Sequence, residues 1–284
     1  MSVHPPSFAI MTYMKKLLLS IVVSVSSLSA FADYTAENKI IKVVIPQPPA
    51  SGLGSLYNHV ATYARKQNIT MVPIYKPGAN GKLGIAHATT EKNLDDTILF
   101  STISDFVGSE QTDKFENISL VSKVTLTLVA SKRSKIKSTS DLGYKEITWG
   151  YFASGDKAVI DTMQEHDILP VRFSAGYQMI TSVVNGDIDL AFAQPDAAET
   201  LAAKDMLTIV DIDKKSKKKM QTKENASAFF LSKEASAEAI TYWQHFTEGL
   251  LQDSEFKKGI NSLVREDVEP GPKEMKKVLK NWGI

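Results

Sequence analysis

An alternation constrains this chain more than any other feature. Short β-branched runs, each followed by a loop of small residues, take turns with stretches whose apolar residues recur at helical spacing. Ile40–Ile45 (IIKVVI) is a short apolar run stopped by Pro46, of the kind that forms a strand buried on both faces. Leu53–Lys66 follows, with Leu56, Val60, Ala61 and Ala64 at helical spacing. Thr70–Tyr75 reads as a second strand, Ile85–Glu91 as a helix and Thr97–Thr102 as a third strand. The order β, α, β, α, β predicts a parallel sheet flanked by helices.

The pattern repeats further on. Leu120–Ala130 is strand-like, and Ser131–Ser140 then turns basic and polar, as expected of a crossover between domains. Ile147–Tyr151 restarts a strand, a helix is expected from Gly155, and Leu169–Phe173 is a short strand. A helix carrying Ile180, Val183 and Val184 ends at Asn185-Gly186, and Ile188–Ala193 is a further strand. A polar stretch around Lys214–Lys219 (KKSKKK) marks a second crossover; its charges read most simply as a solvated face, with a docking patch for a membrane partner as the sharper option. Ala235–Asn261 and Lys273–Trp282 are helical, the first with Ile240, Trp243, Phe246, Leu250 and Leu251 on one side. The expected fold is α/β and two-lobed, each lobe a mostly parallel sheet flanked by helices. Residues 33–133 plus 222–284 form lobe one and 134–221 form lobe two. Ligands of open α/β sheets bind outside the carboxyl ends of strands. The loops after Ile45, Tyr75, Thr102 and Tyr151 are therefore expected to share a cleft.

The first 32 residues read as an address and not as fold. Lys15 and Lys16 precede an uncharged run from Leu17 that closes on Ala30-Phe31-Ala32, the small-x-small pattern of a signal peptidase site. The run is short for a membrane span. Cleavage after Ala32 is expected, with export to the periplasm; Met11 and Met14 are alternative starts. The full chain of 284 residues carries a net charge of +1, and its mature part of 252 residues carries −1. Neither value gives electrostatic grounds for a nucleic-acid partner. The absence of cysteine excludes disulfides, thiolate metal sites and cysteine nucleophiles.

Several enzyme signatures fail. Gly52-Leu53-Gly54 is followed by Tyr57 where a dinucleotide fingerprint needs a third glycine. Gly81-Lys82 has Lys76 and Leu83 where a phosphate loop needs glycine and Ser/Thr. There is no G-x-S-x-G elbow, and His4, His59, His87, His166 and His245 are scattered. Trp149, Trp243 and Trp282 read as core or lobe packing, with Trp149 the one adjoining a cleft loop. No catalytic residue, metal or cofactor is expected. Three small-residue loops stand out instead: Gln47–Gly52, Pro77–Gly84 and Ala153–Lys157. Each precedes a helix, where backbone N–H groups face an anion.

These residues resemble the periplasmic receptors of tripartite tricarboxylate transporters, the Bug family. Pro77, Gly78, Ala79, Gly81 and Gly84 match that family's P-G-A-x-G-x-x-G segment. Val171, Phe173, Gly186, Ile188 and Asp189 fit its later V-x-[YF]-x-G and G-x-[VI]-D stretches, with Ala175 where glycine is usual. Trp149-Gly150 with Ser154-Gly155 approximates its S/T-x-x-S-G region. In the first loop, Ala50-Ser51 replaces a glycine pair and Gly54 replaces an aspartate.

The resemblance implies a type II periplasmic-binding-protein fold without catalysis. It implies a small organic acid as ligand, gripped by main-chain N–H groups and hydroxyls, and integral membrane transporter subunits as partners of a monomer. The expected ligand contacts are Gln47, Pro48, Ala50, Ser51, Gly52, Gly78, Ala79, Gly81, Ser101 and Thr102 in lobe one, and Ser154, Gly155, Asp156, Phe173 and Asp196 in lobe two. Asp156 or Asp196 would supply the acidic partner for a ligand amine. Presentation of the loaded receptor to a signalling sensor is the alternative output, and a periplasmic enzyme on the same scaffold the least favoured.

Overall fold

The computed structural model describes residues 34–143, 146–151, 167–174, 176–212, 224–263 and 265–281. The expected signal segment lies outside them, as do Ser154, Gly155, Asp156, Ala175, the lysine run at 214–219 and Trp282.

The first sheet is built from β1 (Ile40–Ile45), α1 (Gly52–Lys66), β2 (Thr70–Tyr75), α2 (Lys82–Ala88), β3 (Thr97–Thr102), α3 (Ile103–Val107) and β4 (Phe115–Thr125). The second holds β5 (Thr127–Ala130), β6 (Ile147–Tyr151), β7 (Ile168–Arg172), α4 (Gly176–Asn185), β8 (Leu190–Ala193), α5 (Pro195–Ala203) and β9 (Thr208–Ile209). The chain then returns through β10 (Glu224–Ser232), α6 (Ala237–Gln252), α7 (Ser254–Ser262) and α8 (Pro272–Asn281). The expected strand at 120–130 is thus two strands in different sheets. The lobes part at Leu126 and not within 131–140, because Thr127–Ala130 pairs with β8 and β9.

Both sheets have the same plan, with orders β2-β1-β3-β10-β4 and β7-β6-β8-β5-β9. Within the first, β10 runs antiparallel to β3 and to β4; within the second, β5 runs antiparallel to β8 and to β9. The sheets are therefore mixed. Their other strands follow the parallel β/α rule. The reversed strand in each is the one by which the chain arrives from the opposite lobe. β2 and β7 are edge strands, which is why Pro73 and Pro170 cost no ladder bond on an open side.

Burial follows the apolar patterns. β3 is buried along its whole length, and α1 turns Leu53, Leu56, Tyr57, Val60, Ala61 and Ala64 inward. In lobe one a core cluster joins Val44, Leu99, Phe106 and Phe230 to Met275 and Leu279 of α8, with Phe106 stacked on Phe230 at 3.8 Å. The carboxyl-terminal helix thereby packs on the lobe that begins the fold. Trp149 is fully buried in lobe two against Phe192, and Trp243 is fully buried on α6. Both tryptophans are core residues, and neither lines the interlobe cavity. Among the described residues no helix is long and apolar enough to cross a membrane, and no cluster of metal-ligating side chains occurs.

Candidate functional site

A cavity of about 340 Å³ opens between the two sheets at the ends of β1, β3 and β8. Its first wall is the loop after β1. Ser51 caps α1, its hydroxyl accepting from Gly54 N at 3.1 Å. Gly54 makes that turn possible: a Cβ there would lie 2.2 Å from the carbonyl oxygen of Pro49. The position an aspartate fills in the resembling family is here closed to any side chain. Gly52 opens α1, and the first amides of a helix have no intrahelical acceptor.

The second wall is the segment Gly78–Gly81, whose four residues all have positive φ (131°, 48°, 54° and 83°). Glycine tolerates this region, but Ala79 and Asn80 hold it at a cost on the order of 1 kcal/mol each. Packing keeps them there. A Cβ on Gly84 would meet Pro46 Cα at 2.7 Å, and one on Gly81 would meet Asp105 Cβ at 2.8 Å. The loop is pressed onto the ends of β1 and β3. Arg172 of lobe two reaches across to Asn80, Nη2 to Oδ1 at 3.4 Å.

Asp105 and Arg265 give the cavity its electrical character. Asp105 is 3% exposed and lies in the first turn of α3, whose N-cap Thr102 accepts from Asp105 N at 3.3 Å. Its carboxyl accepts from Gln47 Nε2 at 2.7 Å. Burial pushes this carboxyl up to about 6, against the hydrogen bonds from Gln47 and Thr102. Arg265 is 6% exposed and stands in the irregular stretch between α7 and α8. Its Nη1 donates to the hydroxyls of Ser122 at 3.1 Å and Ser227 at 3.3 Å. Burial lowers the guanidinium to about 10, while the field of Asp196 opposes that fall. It remains a cation at any physiological pH.

Lobe two closes the far side with Tyr177, Met179, Ile180, Phe192, Gln194 and Asp196. Gln194 comes within 3.5 Å of the point where a Cβ on Gly52 would stand, so the two walls meet there. The result is an apolar chamber with a few convergent polar groups, the usual make-up of a small-molecule site.

Of the residues expected from sequence, Gln47, Pro48, Ala50, Ser51, Gly52, Gly78, Gly81, Thr102 and Asp196 border this one cavity. Ala79, Ser101 and Phe173 do not. Ala79 belongs to the second loop but is exposed and does not line the cavity. Ser101 is fully buried within β3, its hydroxyl donating to Thr102 O at 3.1 Å. Phe173 turns toward the lobe-two core, with its ring against Gly150. Sequence reasoning missed Asp105, Gln194 and Arg265. The pair Thr102…Asp105 has the spacing of a helix-start signature and could have been found. Arg265 offers no such signal.

No protein-family model matches the chain, and no curated protein matches it by sequence. Solved structures do. MatC from Rhodopseudomonas palustris with bound malate superposes with a TM-score of 0.72 at 13% identity, over 86% of this chain and 97% of that one. The periplasmic binding protein BugD gives 0.72 at 14% identity, over 88% and 96%. Rpa4515 of R. palustris with adipate gives 0.74 at 13% identity, over 86% and 94%. The likeness establishes the two-lobed type II periplasmic-binding-protein fold.

Proposed function

We propose that this chain is a periplasmic solute receptor that captures a small carboxylate-bearing metabolite between its lobes and presents it to the membrane subunits of a tripartite tricarboxylate-type transporter. The observation that carries the reading is the interlobe cavity itself, apolar in its walls and holding a buried, permanently charged guanidinium. The fold, shared with binding proteins solved with malate and adipate, points the same way. The chain acts as a binding protein and not as an enzyme, and works as a monomer. It reaches the periplasm through the segment ending at Ala32.

Lobe one contributes Gln47, Ser51, Gly52, Gly81 and Thr102 to the ligand, and lobe two contributes Gln194 and Asp196. Closure is a population shift: a ligand that touches both walls favours the closed state by its differential contacts. The test is a thermal-shift screen of hydroxy, amino, di- and tricarboxylic acids. At a hundredfold excess over its Kd a bound acid adds about 2.7 kcal/mol, which raises the melting temperature by roughly 5 °C or more. A chain whose melting point no organic acid moves at millimolar concentration is not such a receptor.

A further inference from the structure

We infer that the cleft is electrically polarised and accepts its ligand in one orientation, with a carboxylate at Arg265 beside Gly52 and a hydrogen-bond donor, ammonium or hydroxyl, at Asp105 beside Gly81. The inference rests on the receptor reading above and names its ligand class: a small amino or hydroxy acid in preference to a simple dianion.

The cationic pole is built for an anion. Nη1 of Arg265 is occupied by two neutral hydroxyls, from Ser122 and Ser227. Among the described residues no carboxylate lies within ion-pair distance of the guanidinium. Its Nη2 comes within 3.1 Å of the point where a Cβ on Gly52 would stand. The free amides and positive dipole end of α1, a helix of 15 residues, face the same place. A guanidinium fork and a helix start converging on one spot fit the two oxygens of a carboxylate. Because the side chain is already fixed by the two serines, little rotamer freedom remains to be lost on binding.

The other pole carries the opposite sign. The Pro77–Gly84 loop reads from sequence as an anion cradle, but a buried carboxyl stands directly behind Gly81. Gln47 donates to one oxygen of Asp105, and no Lys, Arg or His among the described residues pairs with it. Asp196 also lines the cavity, but its field falls on Arg265 from outside ion-pair distance, so the negative pole is Asp105 alone. A ligand with two carboxylates would place one of them against the buried Asp105 carboxyl. An amino or hydroxy acid instead supplies each pole with its complement, and a buried charge left unpaired is what a binding site avoids.

The test is calorimetric titration of the mature chain at pH 7.5. The probes are straight-chain acids of two to six carbons bearing hydrogen, hydroxyl, ammonium or a second carboxylate at the α or terminal carbon. At the best-fitting length the amino or hydroxy member is expected to bind at least tenfold tighter than the diacid. Arg265→Gln and Gly52→Ala should each weaken binding at least tenfold. Gly52→Ala keeps the arginine and its charge and crowds only the spot its Nη2 faces, so it decides the matter if Arg265→Gln does not fold. Asp105→Asn should erase the preference for ammonium over the diacid. A diacid that outranks its amino and hydroxy analogues overturns the polarity while leaving the receptor reading intact. Wild-type affinity in Gly52→Ala, or in a folded Arg265→Gln, overturns the Arg265 pole. A wild-type chain that binds no probe, and whose melting point no organic acid moves, overturns the receptor reading and the polarity together.

Discussion

The side chain of Gln47 donates from Nε2 to the Asp105 carboxyl at 2.7 Å, tying the loop after β1 to the first turn of α3. The bond holds a buried acid in the wall of the cavity. That acid responds to pH in a defined direction. Its folded value, about 6, lies above the ordinary 3.8, so the stability it lends is full below about pH 4 and is lost as pH rises through 6. Asp105→Asn should therefore stabilise the ligand-free chain above pH 6, by up to roughly 3 kcal/mol, with the gain closing by pH 4. Urea unfolding at pH 4 and 7.5 measures it. An equal difference at both values would show that the carboxyl does not carry the burial penalty.

Gly54→Ala should be among the most damaging single changes in lobe one. Its Cβ would sit 2.2 Å from a backbone oxygen of Pro49, which can only yield by moving the loop. A loss of about 3 kcal/mol is expected, read as a fall in melting temperature. A wild-type melting point would mean the loop is free to move.

Ser51 joins structure to binding. Its hydroxyl caps α1 through Gly54 N, and removal by Ser51→Ala should cost about 1 kcal/mol. Ser51→Asn supplies another capping oxygen and should recover most of that loss. Denaturant unfolding of the two variants separates capping from any other role: equal losses in both would assign the effect elsewhere.

Asp189 ties β6 to the start of β8. Its Oδ2 accepts from Thr148 N at 2.9 Å and Thr148 Oγ1 at 2.7 Å, and its own N donates to that hydroxyl at 2.9 Å. Asp189→Ala should cost about 2 kcal/mol. Thr148→Ala together with Asp189→Ala should cost much less than the sum of the single changes. Strict additivity in that double-mutant cycle would break the assignment.

Part of this architecture was legible before any coordinates. The apolar runs Ile40–Ile45, Thr70–Tyr75, Thr97–Thr102 and Ile147–Tyr151 are strands with those bounds, because β-branched residues in short runs state their preference locally. The small-residue loops at Gln47–Gly52 and Pro77–Gly84 end up around one cavity, since the carboxyl ends of parallel strands share an edge. The run at 120–130 misled because nothing in its composition marks Leu126 as the place where one sheet ends and another begins. The glycine loop could be seen, but not the acid behind it.

By itself, then, the sequence determined the period of each segment, the turns that need glycine and the two-lobed α/β class. These are properties of neighbours in the chain. Tertiary structure decided which strand runs backwards in each sheet, where the chain crosses and which charges face the cavity. Arg265 shows why. Its hydroxyl partners Ser122 and Ser227 are 143 and 38 residues away, and only the return of the chain through β10 and α7 brings them together. A lone arginine in an irregular stretch acquires its role from what folds around it.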